Sequence, residues 1–185
     1  LAGPESFSTL ALPPDNDDVC DAITLTVGAT PAGDAFTNVG ATAQPDEPIS
    51  PNQSEGGLSC INDGINGSVW FTFVAPASGS VEVSTDIVGG TLTDTEMVVF
   101  EAPTDCTDLT TLGAELGCDQ DGGVDVPLNS VVNLSGLTPG DTYYVQVDQW
   151  GTTTPGTFGI EVQENLSTES FSDDNFSFYP NPTEN

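Results

Sequence analysis

The sequence contains no lysine, no arginine and no histidine. Each absence closes a class of chemistry. Without His there is no Ser–His–Asp triad and no Cys–His pair. Without Lys no Schiff base forms and no P-loop lysine reaches a phosphate. Without Arg no guanidinium fork grips a phosphate or a carboxylate. Against these blanks stand 29 Asp and Glu residues and a formal charge of -29. No side chain neutralises a nucleic-acid backbone, and the field repels one; an anionic membrane surface is disfavoured for the same reason. No apolar run approaches the roughly 20 residues of a membrane span. Ion pairs between side chains are impossible. The carboxylates must be solvated, hydrogen-bonded, protonated or bound to cations, and Ca2+ is the natural extracellular candidate because hard oxygen ligands suit it.

What is present reads as β structure. The 185 residues suit one domain with arms. Residues 1–14 form an N-terminal arm with Phe7, Leu10 and Leu12 as its apolar grip, closed by Pro13-Pro14. Strands are expected near Ala22–Val27 and Ala35–Ala41, before a long loop rich in Pro, Gly, Asn and Asp. "SVWFTFVAP" then alternates Val69, Phe71 and Phe73 with Trp70 and Thr72, and "SGSVEVSTDI" follows after "PASG", read as a hairpin turn. "TEMVVFEAP", "AELGCDQD", "SVVNLSGL", "DTYYVQVDQW" and "GTFGIEVQE" continue the series, with "LTPGD" as a Pro-Gly turn. "DCTDLTTLG" offers one helical turn capped by Asp105 or Thr107. Short strands separated by turn residues indicate an all-β, antiparallel two-sheet β-sandwich, jelly-roll-like, over residues 15–165. Residues 166–185 read as an acidic linker and a terminal segment.

Four cysteines, Cys20, Cys60, Cys106 and Cys118, suggest disulfides and an oxidising compartment. Three pairings are possible. Cys106 and Cys118 bracket one short excursion, which pairs them with each other and leaves Cys20 with Cys60. A zinc site is not expected, for there is no C-x-x-C and no His.

The runs "PPDNDDVCDAITLTVG", "SVWFTFVAPASGSVEVST", "DTEMVVFEA", "CDQDGG" and "LTPGDTYYVQVDQWGTTTPGTFGIEV" together resemble the pre-peptidase C-terminal-like sandwich modules of secreted bacterial proteins, in the form carried by Bacteroidetes surface proteins. The tail "FSFYPNPTEN" resembles the first strand and turn of the C-terminal sorting domain read by the type IX secretion system. The resemblance implies a secreted or cell-surface, non-catalytic module. The chain departs from that family in lacking every basic residue, and no companion protease or hydrolase lies within these 185 residues.

Candidate sites follow from the acids and aromatics. "CDQDGGVD" places Asp119, Asp121 and Asp125 at the first, third and seventh positions of a cation loop, although Ser130 stands where an EF-hand carries its late Glu. "DNDD" brings Asp15, Asp17 and Asp18 before the first strand, and the resemblance implies calcium at that linker. A solvated acidic surface is the alternative for both. Asp94 and Asp148, at strand boundaries or on strands, are candidates to join a site across sheets. Trp150 and Tyr144 are candidate sugar-stacking faces, with core packing as the alternative. A subunit of an extracellular filament, sheath or surface layer is the leading expectation. Self-assembly would run through the arm and the Phe176, Phe178 and Tyr179 strand. A carbohydrate-binding or adhesin module is the alternative.

Overall fold

A computed structural model of the chain describes residues 11–50, 60–61, 64–151 and 153–165. Within them run β1 (Ile23–Thr24), β2 (Phe36–Thr37), β3 (Val69–Val74), β4 (Val81–Ser84), β5 (Thr95–Glu101), β6 (Glu115–Asp119), β7 (Val131–Leu134), β8 (Thr142–Gln149), β9 (Thr157–Phe158) and β10 (Glu161–Glu164). Two single-turn 3-10 helices, Val19–Asp21 and Leu109–Thr111, are the only helical elements among the described residues. The fold is all-β and disulfide-stabilised. A five-stranded sheet, in the order β1-β3-β8-β5-β6, faces a three-stranded sheet, β10-β4-β7, and the pair β2-β9 closes one side. Every pairing is antiparallel except β1 with β3.

The alternation read from the sequence sets the layers. Val69, Phe71, Phe73, Met97, Val99, Val145 and Val147 point inward from the large sheet. They meet Val81, Val83, Val132, Leu134 and Val162 of the small one. Phe71 stands edge-on to both Phe36 and Phe158, which seats the β2-β9 pair on the core. The residues between them on the large sheet point outward and are buried as well. Trp70, Val98 and Phe100 pack under Val19, Ile61 and Leu109. A sheet covered on both faces explains why "VWFTFV" and "EMVVF" are nearly continuous apolar runs.

Two turn expectations differ from the structure. "PASG" contains a tight turn, with Gly79 N–H donating to the Pro76 carbonyl at 3.0 Å, yet β3 and β4 lie in different sheets. The turn is a crossover, because the apolar faces of β3 and β4 are buried against each other only if they oppose across the core. The helical turn is capped by Asp108, whose side chain accepts from Thr110 N–H, while Asp105 accepts from the N–H of Thr107 at 2.9 Å. "LTPGD" forms the expected turn: Asp141 N–H donates to Thr138 at 3.1 Å, with Gly140 at φ 87 after Pro139.

The disulfides join Cys20 to Cys106 and Cys60 to Cys118, which corrects the expected pairing. Strand β6 runs back along β5, so that Glu115 sits opposite Phe100 and Cys118 opposite Val98. Cys118 is thereby carried roughly 10 Å up the sheet, away from the loop holding Cys106. The Cys60–Cys118 bond instead clips a covering segment to β6 of the large sheet. The Cys20–Cys106 bond ties the two covering segments that carry Val19 and Leu109 to each other, and Cys106 and Cys118 pack against the Trp70 cluster. The bonds place the chain in an oxidising, non-cytoplasmic setting. No helix among the described residues is long and apolar enough to cross a membrane.

Close backbone packing ties the β2-β9 pair to the 88–91 loop. A Cβ on Gly90 would lie 2.6 Å from the Gly33 carbonyl oxygen and nearer still to that of Thr157. Gly90→Ala is expected to cost roughly 1–3 kcal/mol. The measurement is urea unfolding, in which the midpoint falls and the slope stays; an unchanged midpoint would mean that this contact relaxes freely.

Candidate functional site

Antiparallel pairing brings three chain segments to one end of the sandwich. Thr95, which opens β5, pairs with Gln149 at the end of β8, and Met97 pairs with Asp119 at the end of β6. Asp94 just before β5, Trp150 just after β8 and the loop after β6 therefore converge. They enclose a hollow of about 230 Å³ lined by Asp94, Gln120, Asp121, Leu128 and Trp150. Trp150 is 43% exposed and Leu128 49%. An indole open to solvent at a strand end is unusual for so costly an apolar group.

Hydrogen bonds hold the tryptophan wall. The Trp150 N–H donates to the Asp94 carbonyl at 3.3 Å and its carbonyl accepts from Thr153 N–H at 2.9 Å. Thr153 Oγ1 donates to the Asp94 carboxylate at 3.3 Å. Gln149 Nε2 donates to the Thr153 carbonyl at 2.7 Å, and its Oε1 accepts from Asn38 Nδ2 at 2.8 Å.

The facing wall is the segment expected to be a cation loop, and its acids are turned to other uses. One oxygen of Asp119 accepts from the N–H groups of Gly122 and Val131, both at 2.8 Å. Asp125 contributes its backbone N–H, which donates to Asp86 at 3.0 Å. Val124 N–H donates to the same carboxylate at 2.7 Å, and Val126 N–H donates as well. Burial of Asp86 acts to raise its pKa, but the three N–H groups outweigh it and hold the carboxyl below its ordinary range. Asp119 is the opposite case: burial raises it, its backbone bonds do not compensate, and the charge of Asp121 adds to the rise. Asp94 is raised by burial and again by Asp121, against the Thr153 bond. Asp121 itself is exposed.

The N-terminal acids do not converge either. Both carboxylate oxygens of Asp17 are occupied by Thr42, through its N–H at 2.7 Å and its Oγ1 at 2.8 Å, while Asp15 and Asp18 face solvent. Among the described residues no group of three or more His, Cys, Asp or Glu is placed to hold a metal ion. Tyr144 is half-buried against the Trp70 cluster on the outer face of β8. It lies six residues before Trp150, roughly 20 Å along the strand, and takes no part in the hollow. Phe7, Leu10, Phe176, Phe178 and Tyr179 lie outside the described residues, whereas Leu12 is 86% exposed.

No family model, curated protein or solved structure matches this chain.

A second acidic group lies under the covering layer and was not anticipated as a unit. Asp148 accepts from the N–H groups of Gly67 and Asn66 at 2.7 Å and of Gln149 at 2.8 Å. Burial nevertheless drives its pKa up to about 6, with the charge of Glu47 adding to the rise. Glu47 accepts from Trp70 Nε1 at 3.0 Å and from Ser68 Oγ, and is also raised by burial. Glu96 sits directly across from Asp148 and is fully buried. The period-two pattern of "YVQVDQ" puts Asp148 on the Trp70 face, and the only sequence mark that this face is covered is the near-continuous apolar run of β3 and β5.

Proposed function

We propose that this chain is a non-catalytic binding module of an exported, cell-surface protein, and that the Trp150 hollow takes a sugar ring. The exposed indole forming one wall of a hydrogen-bonding cavity carries this reading. A pyranose lays its apolar C–H face on an aromatic face and turns its hydroxyls to polar groups at the edge. Trp150 supplies the face, with Asp94, Gln120 and Asp121 at its edge. The cavity, about 230 Å³, is below the roughly 300 Å³ at which pockets for drug-sized ligands begin; one ring fits it. The likeness of "DTYYVQVD" and "GTFGIEV" to pre-peptidase C-terminal-like modules, and of the tail to a type IX sorting segment, agrees with an exported accessory role.

A glycan array probed with the native chain and with Trp150→Ala tests this. Bound glycans are expected to lose about tenfold in affinity on removal of the indole. Binding that is indifferent to Trp150→Ala, or an array with no bound glycan, rejects the reading.

The second reading is a subunit of an extracellular filament, sheath or surface layer. Leu12 at 86% exposure and Val39 at 41% favour it. The Leu12 backbone packs on Gly40, the chain neighbour of Val39. Like-charged subunits of charge -29 would need counter-ions between them. A monomeric mass by light scattering at high concentration, with and without calcium, rejects assembly.

A further inference from the structure

We infer that the Trp150 hollow selects a sugar bearing a protonated amine, a 2-amino-2-deoxy sugar, over its acetylated and neutral counterparts. This rests on the sugar-binding reading and names its ligand class. Two carboxylates, Asp94 and Asp121, share a small cavity with one indole and the apolar Leu128. The chain has no Lys, Arg or His to balance them, so the counter-charge comes from outside. The two acids already oppose each other, with Asp121 adding to the rise that burial imposes on Asp94. An ammonium group placed between them removes that repulsion, and the indole face adds a cation–π attraction. A neutral hydroxyl leaves the repulsion in place, and an acidic sugar increases it. The arrangement is set before any ligand arrives. Asp86 and Asp119 tie down the loop carrying Asp121 and Leu128, and Asp94 is bonded to the Trp150–Thr153 turn, which lowers the ordering cost of binding. The field of the whole chain steers such a cation inward.

The test is calorimetric titration of the full chain with glucosamine, N-acetylglucosamine and glucose oligomers of matched length, at a pH where the amines are protonated. The glucosamine oligomer is expected to bind about tenfold tighter than the other two. Asp121→Asn should erase that advantage, and added salt should weaken it. Asp141→Asn, which removes the same charge from the turn at the opposite end of β8, should keep it. Asp94→Asn reads the same contact if Asp121→Asn fails to fold. Equal binding of all three oligomers, lost in Trp150→Ala, overturns the inference and leaves the sugar reading standing. Binding of none overturns both. Glucosamine binding that survives both Trp150→Ala and Asp121→Asn is attraction to the general field and overturns the inference. A polyamine that displaces the glucosamine oligomer at equal amine concentration, and depends on Trp150 equally, overturns the sugar as occupant.

Discussion

Reduction of the two disulfides unfolds this chain under conditions where the oxidised protein is fully native: that is the largest effect expected. The bonds span sequence separations of 86 and 58 residues. Chain-entropy estimates give about 4–5 kcal/mol for loops of this length. The loops overlap, so the two contributions do not add in full. Against a total stability of about 5–15 kcal/mol, losing both is decisive. The outer layer is the reason to expect little compensation. Val19, Ile61 and Leu109 cover Trp70 and Phe100 from loops and single-turn 3-10 helices that lie outside the strand ladders. Titration with a phosphine reductant, followed by near-ultraviolet circular dichroism, should show loss of the Trp70 signal. A native spectrum after complete reduction would show that the layer holds without its bonds. Trypsin is useless as a reporter here, because the chain offers it no Lys or Arg.

The second large effect is a gain in stability on mild acidification, opposite to the acid lability of proteins rich in salt bridges. Asp148 has a folded-state pKa of about 6 against an ordinary value of 3.8. Between those values the native state binds more protons than the unfolded chain, so stability falls as pH rises. The contribution is fully present below the unfolded value and is lost as pH climbs through the folded one. Its size is at most about 3 kcal/mol. Glu47, Asp94 and Asp119, all raised by burial, act in the same direction. Asp86, held low by its three N–H partners, acts the other way, and only below its ordinary range. Relief of general repulsion adds to the gain. The melting temperature should therefore rise as pH falls from about 7 to about 4.5, and Asp148→Asn should flatten that slope. A melting temperature that falls steadily over the same interval would mean that these acids are ionised in the native state and balanced by bound cations.

The legible parts of the fold are those written in local pattern. Alternation in "SVWFTFVAP" and "DTYYVQVDQW" gave both the strands and their inward faces, and Pro139-Gly140 gave its turn. "PASG" was ambiguous because the same turn chemistry serves a hairpin and a crossover; only the opposing faces of Phe71 and Val83 decide it. The disulfides were misread for a related reason. Closeness in sequence favoured Cys106 with Cys118, but a hairpin strand carries a residue away from its own loop. At the hollow, Trp150 stood out beside Gly151 and a run of threonines. Asp94, Gln120 and Leu128 reach it only through the register of β5 with its two neighbours, which no short window contains. Asp148 stands out by its place on a strand, but its burial opposite Glu96 is hidden by abundance, since a buried acid looks like any other among 29.

The cross-links also fix how the molecule would carry a mechanical load. Tension entering at the N-terminus passes from Cys20 straight to Cys106, so residues 21–105, with β3, β4 and β5 among them, sit inside a covalent loop that bears none of it. It then passes along 106–118, where the second bond ties Cys118 back into that protected loop. Stretched end to end, the oxidised chain therefore cannot extend to its full contour. Of the large sheet, β1, β3 and β5 lie off the covalent line of force, while β6 and the central strand β8 lie on it.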